Sequence, residues 1–134
     1  MSNGAKFAQQ MLGGLMAIGG VMHFTRDVHV WQSPLLDALA ASGFLWAEIG
    51  VVNLIAGAAL VADRFAPLAA AALVPITSNI FLFHLWRHDL FGLTIGIPVA
   101  VLNAIVVFNY RDVYAPLLAR AGAPSSIEHS ESPR

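Results

Sequence analysis

Four long apolar runs, joined by short charged connections and one longer polar stretch, limit more than anything else what this chain can fold into. They cover about residues 7–24, 43–62, 65–86 and 90–110. Crossing the hydrocarbon core of a bilayer takes about 20 predominantly apolar residues in a helix. Lipid offers no partner to an unpaired backbone N–H or C=O, so a spanning segment is a helix or part of a closed barrel. A barrel needs alternation of apolar and polar residues, and these runs are continuous. Composition agrees. The chain is 57% hydrophobic and 11% charged, against about 25% charged in soluble domains. A water-facing surface could not be covered with so few charges. The expectation is an all-α membrane protein: an antiparallel four-helix transmembrane bundle with a short interfacial helix between the first and second spans.

The connections refine this. Asp63-Arg64 and Arg87-His88-Asp89 are short enough to demand tight helical hairpins. The stretch from Thr25 to Ser42 is longer and mixes Val28, Val30, Trp31, Leu35, Leu36 and Leu39 with Asp27, His29, Gln32 and Asp37. Ser33-Pro34 has the form of an N-cap followed by a first-turn proline, so residues 34–41 are expected to form a helix at the interface. Trp31 suits the headgroup zone. The transmembrane domain is taken as 1–114 and the remainder, 115–134, as a disordered cytoplasmic tail, because Pro, Ser, Glu and Arg dominate it. Lys6 precedes the first run without a cleavage site opening onto a polar mature domain, so that run is expected to remain as a span. Lys6, Arg64, Arg111 and Arg120 fall on one side of the membrane, and Arg26 and Arg87 on the other. The bias places both termini in the cytoplasm.

Small residues mark packing faces. Gly50, Asn53 and Gly57 are three and four apart, so they share a helical face that should point inward. Pro75 and Pro98 each free a carbonyl that a neighbour must satisfy.

Ionisable and amide groups inside spans carry whatever chemistry there is, because burying them in lipid costs several kcal/mol. Counting along antiparallel spans brings His23, Glu48 and His84 to similar depth near the outer face, with Asn79 one turn deeper. His23, Glu48, Asn79 and His84 are therefore the candidates for a ligand- or proton-binding pocket, with Asn53, Arg26 and Arg87 in support. A plainer reading stands beside it. Glu48 would pair with Arg26 or Arg87, the histidines would reach for the interface, and Asn53, Asn79 and Asn103 would join helices. Trp46, Trp86 and Tyr110 would be interfacial anchors. Haem between His23 and His84 is disfavoured because the two lie level near one face. No compact ligand spacing supports a metal. The absence of cysteine excludes thiolate sites and dithiol chemistry by this chain. The net charge of -1 offers nothing to nucleic acid.

Several stretches together resemble the DoxX-like family of small four-helix membrane proteins. The first run ends Gly-Gly-Val-Met-His23-Phe24, and the second carries Glu48 and then Asn53-Leu-Ile-Ala-Gly57. The hairpin reads Arg64-Phe-Ala-Pro67-Leu, and the third run reads Pro75-Ile-Thr-Ser-Asn79-Ile-Phe-Leu-Phe-His84. The resemblance extends to about Tyr110, and the Pro75, Asn79, His84 run is its most specific part. It implies a four-helix bundle in the bacterial inner membrane and association with membrane redox complexes, including thiosulfate:quinone oxidoreduction and oxidative-stress or thiol defence. His23, Glu48, Asn79 and His84 are the matched positions. The resulting expectation is an accessory subunit, not a stand-alone enzyme, that binds a quinone-like or small amphipathic ligand or couples to a redox partner. The alternative is an assembly or scaffold protein, open to homo-oligomer formation, whose buried polar residues only fix helix packing.

Overall fold

The computed structural model describes residues 2–25 and 34–121. Its elements are helices α1 (Asn3–Met22), α2 (Pro34–Ala41), α3 (Phe44–Val61), α4 (Ala66–Trp86), α5 (Leu90–Asn109) and α6 (Arg111–Ala121). No strand occurs among the described residues. Helices α3, α4 and α5 are long and apolar enough to cross a membrane. Helix α1 has the length but carries Lys6, Gln9 and Gln10 in its first half, and it does not join them on apolarity. Only 28% of each apolar window is buried inside the protein, so most of that apolar surface faces outward. Phe44, Ile55, Leu68, Leu90 and Phe108 are among the side chains it exposes. An exterior of this kind suits lipid and not water.

Each of the four long helices packs against two others: α1 on α3 and α5, and α4 on α3 and α5. The α1–α3 contact is the closest. A Cβ added to Gly57 would stand 2.5 Å from the Ala17 nitrogen, and one added to Gly20 would stand 2.6 Å from that of Leu54. The two backbones touch, as small residues allow in lipid. Gly13 lies against Gly57 and Gly20 against Gly50, so these helices run in opposite directions. Leu12, Leu60, Leu73, Val99 and Val106 fill the interior between the helices.

Pro75 leaves the Ala71 carbonyl without its helical donor, and Asn103 of α5 bonds both ends of the preceding rung. With its amide oriented to satisfy both atoms, Asn103 donates to the Ala70 carbonyl (3.1 Å). Its oxygen accepts from the Val74 N–H (3.2 Å) and the Thr77 hydroxyl (2.9 Å). Asn103 and Thr77 are both buried.

The expected tail differs in part. Residues 115–121 are not disordered but complete α6, and the Tyr114 hydroxyl donates to the Pro67 carbonyl at 2.6 Å. The segment Ala-Pro-Leu-Leu-Ala-Arg-Ala still holds good helix formers. The Pro- and Ser-rich composition begins only after it. Residues 122–134 lie outside the described residues, as do Arg26, Trp31 and Ser33.

Candidate functional site

The turn between α4 and α5 is built around Asp89. His88 adopts the left-handed conformation (φ 52°), which bends the chain back on itself. The Asp89 N–H then reaches the His84 carbonyl at 3.0 Å, a Schellman closure of α4. The same residue is the N-cap of α5. One carboxylate oxygen accepts from the Gly92 N–H at 3.0 Å, and the other accepts from the His84 ring at Nδ1, 2.9 Å away. The Gly92 N–H, helped by His84 and Arg87, holds the Asp89 carboxyl below the ordinary carboxylate range against the opposing effect of burial.

The His84 side chain is only 8% exposed. It occupies the space where residue 92 would carry a side chain. A Cβ on Gly92 would meet His84 Nδ1 at 1.9 Å. Gly96, one turn on, leaves room beside the Cδ2 edge of the same ring. An imidazole buried between two helices, with a carboxylate that reaches the surface, can pass or hold a proton or donate to a polar headgroup.

His23 has separate surroundings. It caps the end of α1, its Nδ1 donates to the Gly19 carbonyl at 2.8 Å, and its ring lies 4.4 Å from that of Trp46. The Trp46 indole N–H donates to the His23 carbonyl at 2.9 Å. The other two expected residues turn outward. Glu48 and Asn79 are exposed, and neither makes a hydrogen bond or ion pair among the described residues. An interior pocket lined by all four therefore does not form. The reason is helical phase. Glu48 precedes buried Gly50 by two residues and Asn79 follows buried Thr77 by two, a rotation of about 200° away from the core at 3.6 residues per turn. Of the supporting residues, Arg87 sits over the Phe83 ring at 5.5 Å. Asn53 is buried, with its side-chain oxygen unpartnered. Arg26 lies outside the described residues.

The opposite ends of the helices hold a second polar cluster that sequence reasoning missed. Gln9, fully buried, donates to the Leu60 carbonyl (2.8 Å) and to Asp63 (2.9 Å). It accepts from the Tyr110 hydroxyl at 2.9 Å. Lys6 pairs with Asp63. This cluster joins α1, the α3–α4 turn and the end of α5. A glutamine three residues after a lysine, at the polar end of α1, is the available signal. Among the described residues, no group of three His, Cys, Asp or Glu is placed to hold a metal ion.

No family model, curated protein or solved structure matches this chain.

Proposed function

We propose that the chain is a DoxX-like accessory subunit of the bacterial inner membrane. It crosses the bilayer four times as an antiparallel bundle with both termini in the cytoplasm, and α2 lies at the outer interface. Its working site is the His84–Asp89 corner at the outer ends of α4 and α5, where it meets the headgroup of a quinone-like ligand or the proton of a membrane redox partner. The observation that carries this reading is the burial of a titratable imidazole against a carboxylate that itself reaches the surface. Lipid-embedded ionisable groups are functional candidates by default, and Gly92 leaves the ring its space at the cost of a side chain there.

The test is ligand content. Protein purified from native membranes in mild detergent is extracted and its quinones are measured by mass spectrometry, beside His84→Gln and Asp89→Asn. The expected result is enrichment in the parent protein that both variants lose. Equal quinone content in all three removes the ligand site.

A second reading is favoured by the Gln9 and Asn103 contacts. They join helices to one another and leave no polar group directed at a ligand. On that reading the chain is a scaffold whose polar residues fix helix packing. Substitutions at His84 would then lower the melting temperature in detergent and change no bound molecule.

A further inference from the structure

Polar side chains on the lipid side of the spans fall into two groups. On α5, Thr94 donates to the Phe91 carbonyl (2.6 Å) and Asn109 to the Ile105 carbonyl (2.9 Å). Both return their hydrogen bonds to their own helix, which lets a polar residue face acyl chains at little cost. On the outer half of α3 and α4, Glu48, Ser78 and Asn79 are exposed and make no such bond among the described residues. Asn79 is the most costly of these. It lies seven residues from the end of α4 at Trp86, about 10 Å along the helix axis, where its amide has neither water nor backbone to meet.

Asn79 also sits in the middle of a regular stripe. Leu68, Ala72, Pro75, Asn79, Leu82 and Trp86 succeed one another at intervals of four and three residues, and all six are exposed. This is the heptad seam along which two helices pack. Ala72 and Pro75, the positions before Asn79 in the seam, are small enough to let a second backbone approach. A primary amide is its own complement. It carries two donors and one acceptor oxygen, so two copies of Asn79 facing each other across a two-fold axis satisfy one another. No partner of single polarity matches it as fully. With the two-fold axis along the membrane normal, the two α4 helices pack in parallel and each residue of the seam faces its own counterpart.

We propose that a second copy of this chain docks on the exposed face of α4, with the two Asn79 side chains hydrogen-bonded at the centre of the dimer. The interface is independent of whether His84 binds a ligand, since it lies on the opposite side of α4 from the core.

The chain has no cysteine, so single cysteines report contacts directly. Leu82→Cys is oxidised in native membranes beside Ile97→Cys, which sits on the exposed face of α5. The expected result is a disulfide species of twice the monomer mass for Leu82→Cys and none for Ile97→Cys. Asn79→Leu, on a lipid-facing position where folding tolerates it, should weaken self-association in detergent about tenfold, the size of one interhelical amide pair. Asn79→Gln should restore part of it. Three results overturn the proposal: equal cross-linking at both positions, an adduct at Leu82→Cys of mass other than a dimer, or dimerisation that is unchanged in Asn79→Leu.

Discussion

Asp89 holds His84 twice: its backbone N–H binds the His84 carbonyl at 3.0 Å, and its carboxylate binds the ring at Nδ1, 2.9 Å away. The residue that ends α4 is therefore also the one that fixes the buried imidazole and starts α5. Gly92 is the third member, because its missing side chain is where the ring lies.

Gly92→Ala should displace the His84 ring and break its bond to Asp89. Overpacking of a filled site costs about 1–3 kcal/mol. The melting temperature in detergent should fall. Adding His84→Ala should recover part of the loss, since it clears the two nearest atoms that the new methyl strikes and leaves the Asp89 carboxylate oxygen close to it. A double-mutant cycle measures that coupling. Additive losses would show that the ring and residue 92 do not compete for space.

Gln9→Leu removes the hub of the other polar cluster. It strands the Tyr110 hydroxyl and takes one donor from the Leu60 carbonyl, which keeps the Asp63 N–H, and a buried group left without its partner costs about 1–3 kcal/mol. Chemical denaturation in mixed micelles should register a loss of that size. Gln10→Leu, whose bond to the Val61 carbonyl is exposed, should change little.

Much of the helical layout is legible in the sequence, and the azimuth of the polar residues is the part read least well. The apolar runs give α3, α4 and α5 to within a residue or so, because hydrocarbon thickness sets their length. The spacing of Gly50, Asn53 and Gly57 identifies the buried face of α3 correctly. Depth along the helices puts Glu48 level with the histidines, but azimuth decides contact, and a position two residues from Gly50 points outward. In the sequence Asp89 reads only as a connection residue. Its role depends on the left-handed turn at His88, and no glycine advertises that turn. Asn103 was legible as a helix-joining amide and Pro75 as a break in the ladder. Their meeting depends on the register between α4 and α5, which one sequence does not reveal.

Asn103→Leu should remove the brace that α5 gives to α4 just before Pro75. Without the amide, the Ala70 carbonyl and Val74 N–H lose their bridge, and the expected loss is about 1–2 kcal/mol. Hydrogen exchange at Val74 should quicken, while exchange in α1 stays as it was. Unchanged protection at Val74 would mean that α4 repairs itself.

Asp63 supplies a pH dependence. The Lys6 ammonium and then the Gln9 amide hold its carboxyl below the usual 3.8. A carboxyl depressed on folding contributes stability that is present above its unfolded value and disappears as pH falls through its folded value. The melting temperature should thus be level near neutrality and drop as the pH is taken below 3.8. Asp63→Asn should shrink that drop and leave the part that Asp89 contributes, and melting curves across an acid series check it.

The bond from Tyr110 to Gln9 has a consequence for assembly. It joins positions 101 residues apart, whereas His84 and Asp89 are separated by five. Short loops close before long ones because less chain entropy is lost. The α4–α5 corner can lock while that hairpin is still entering the bilayer. The seam between the first long helix and the last must wait until translation has delivered both. The Gln9–Tyr110 bond is then among the last contacts to form, and a chain cut short before Tyr110 would still hold α1 through α3 and Asp63.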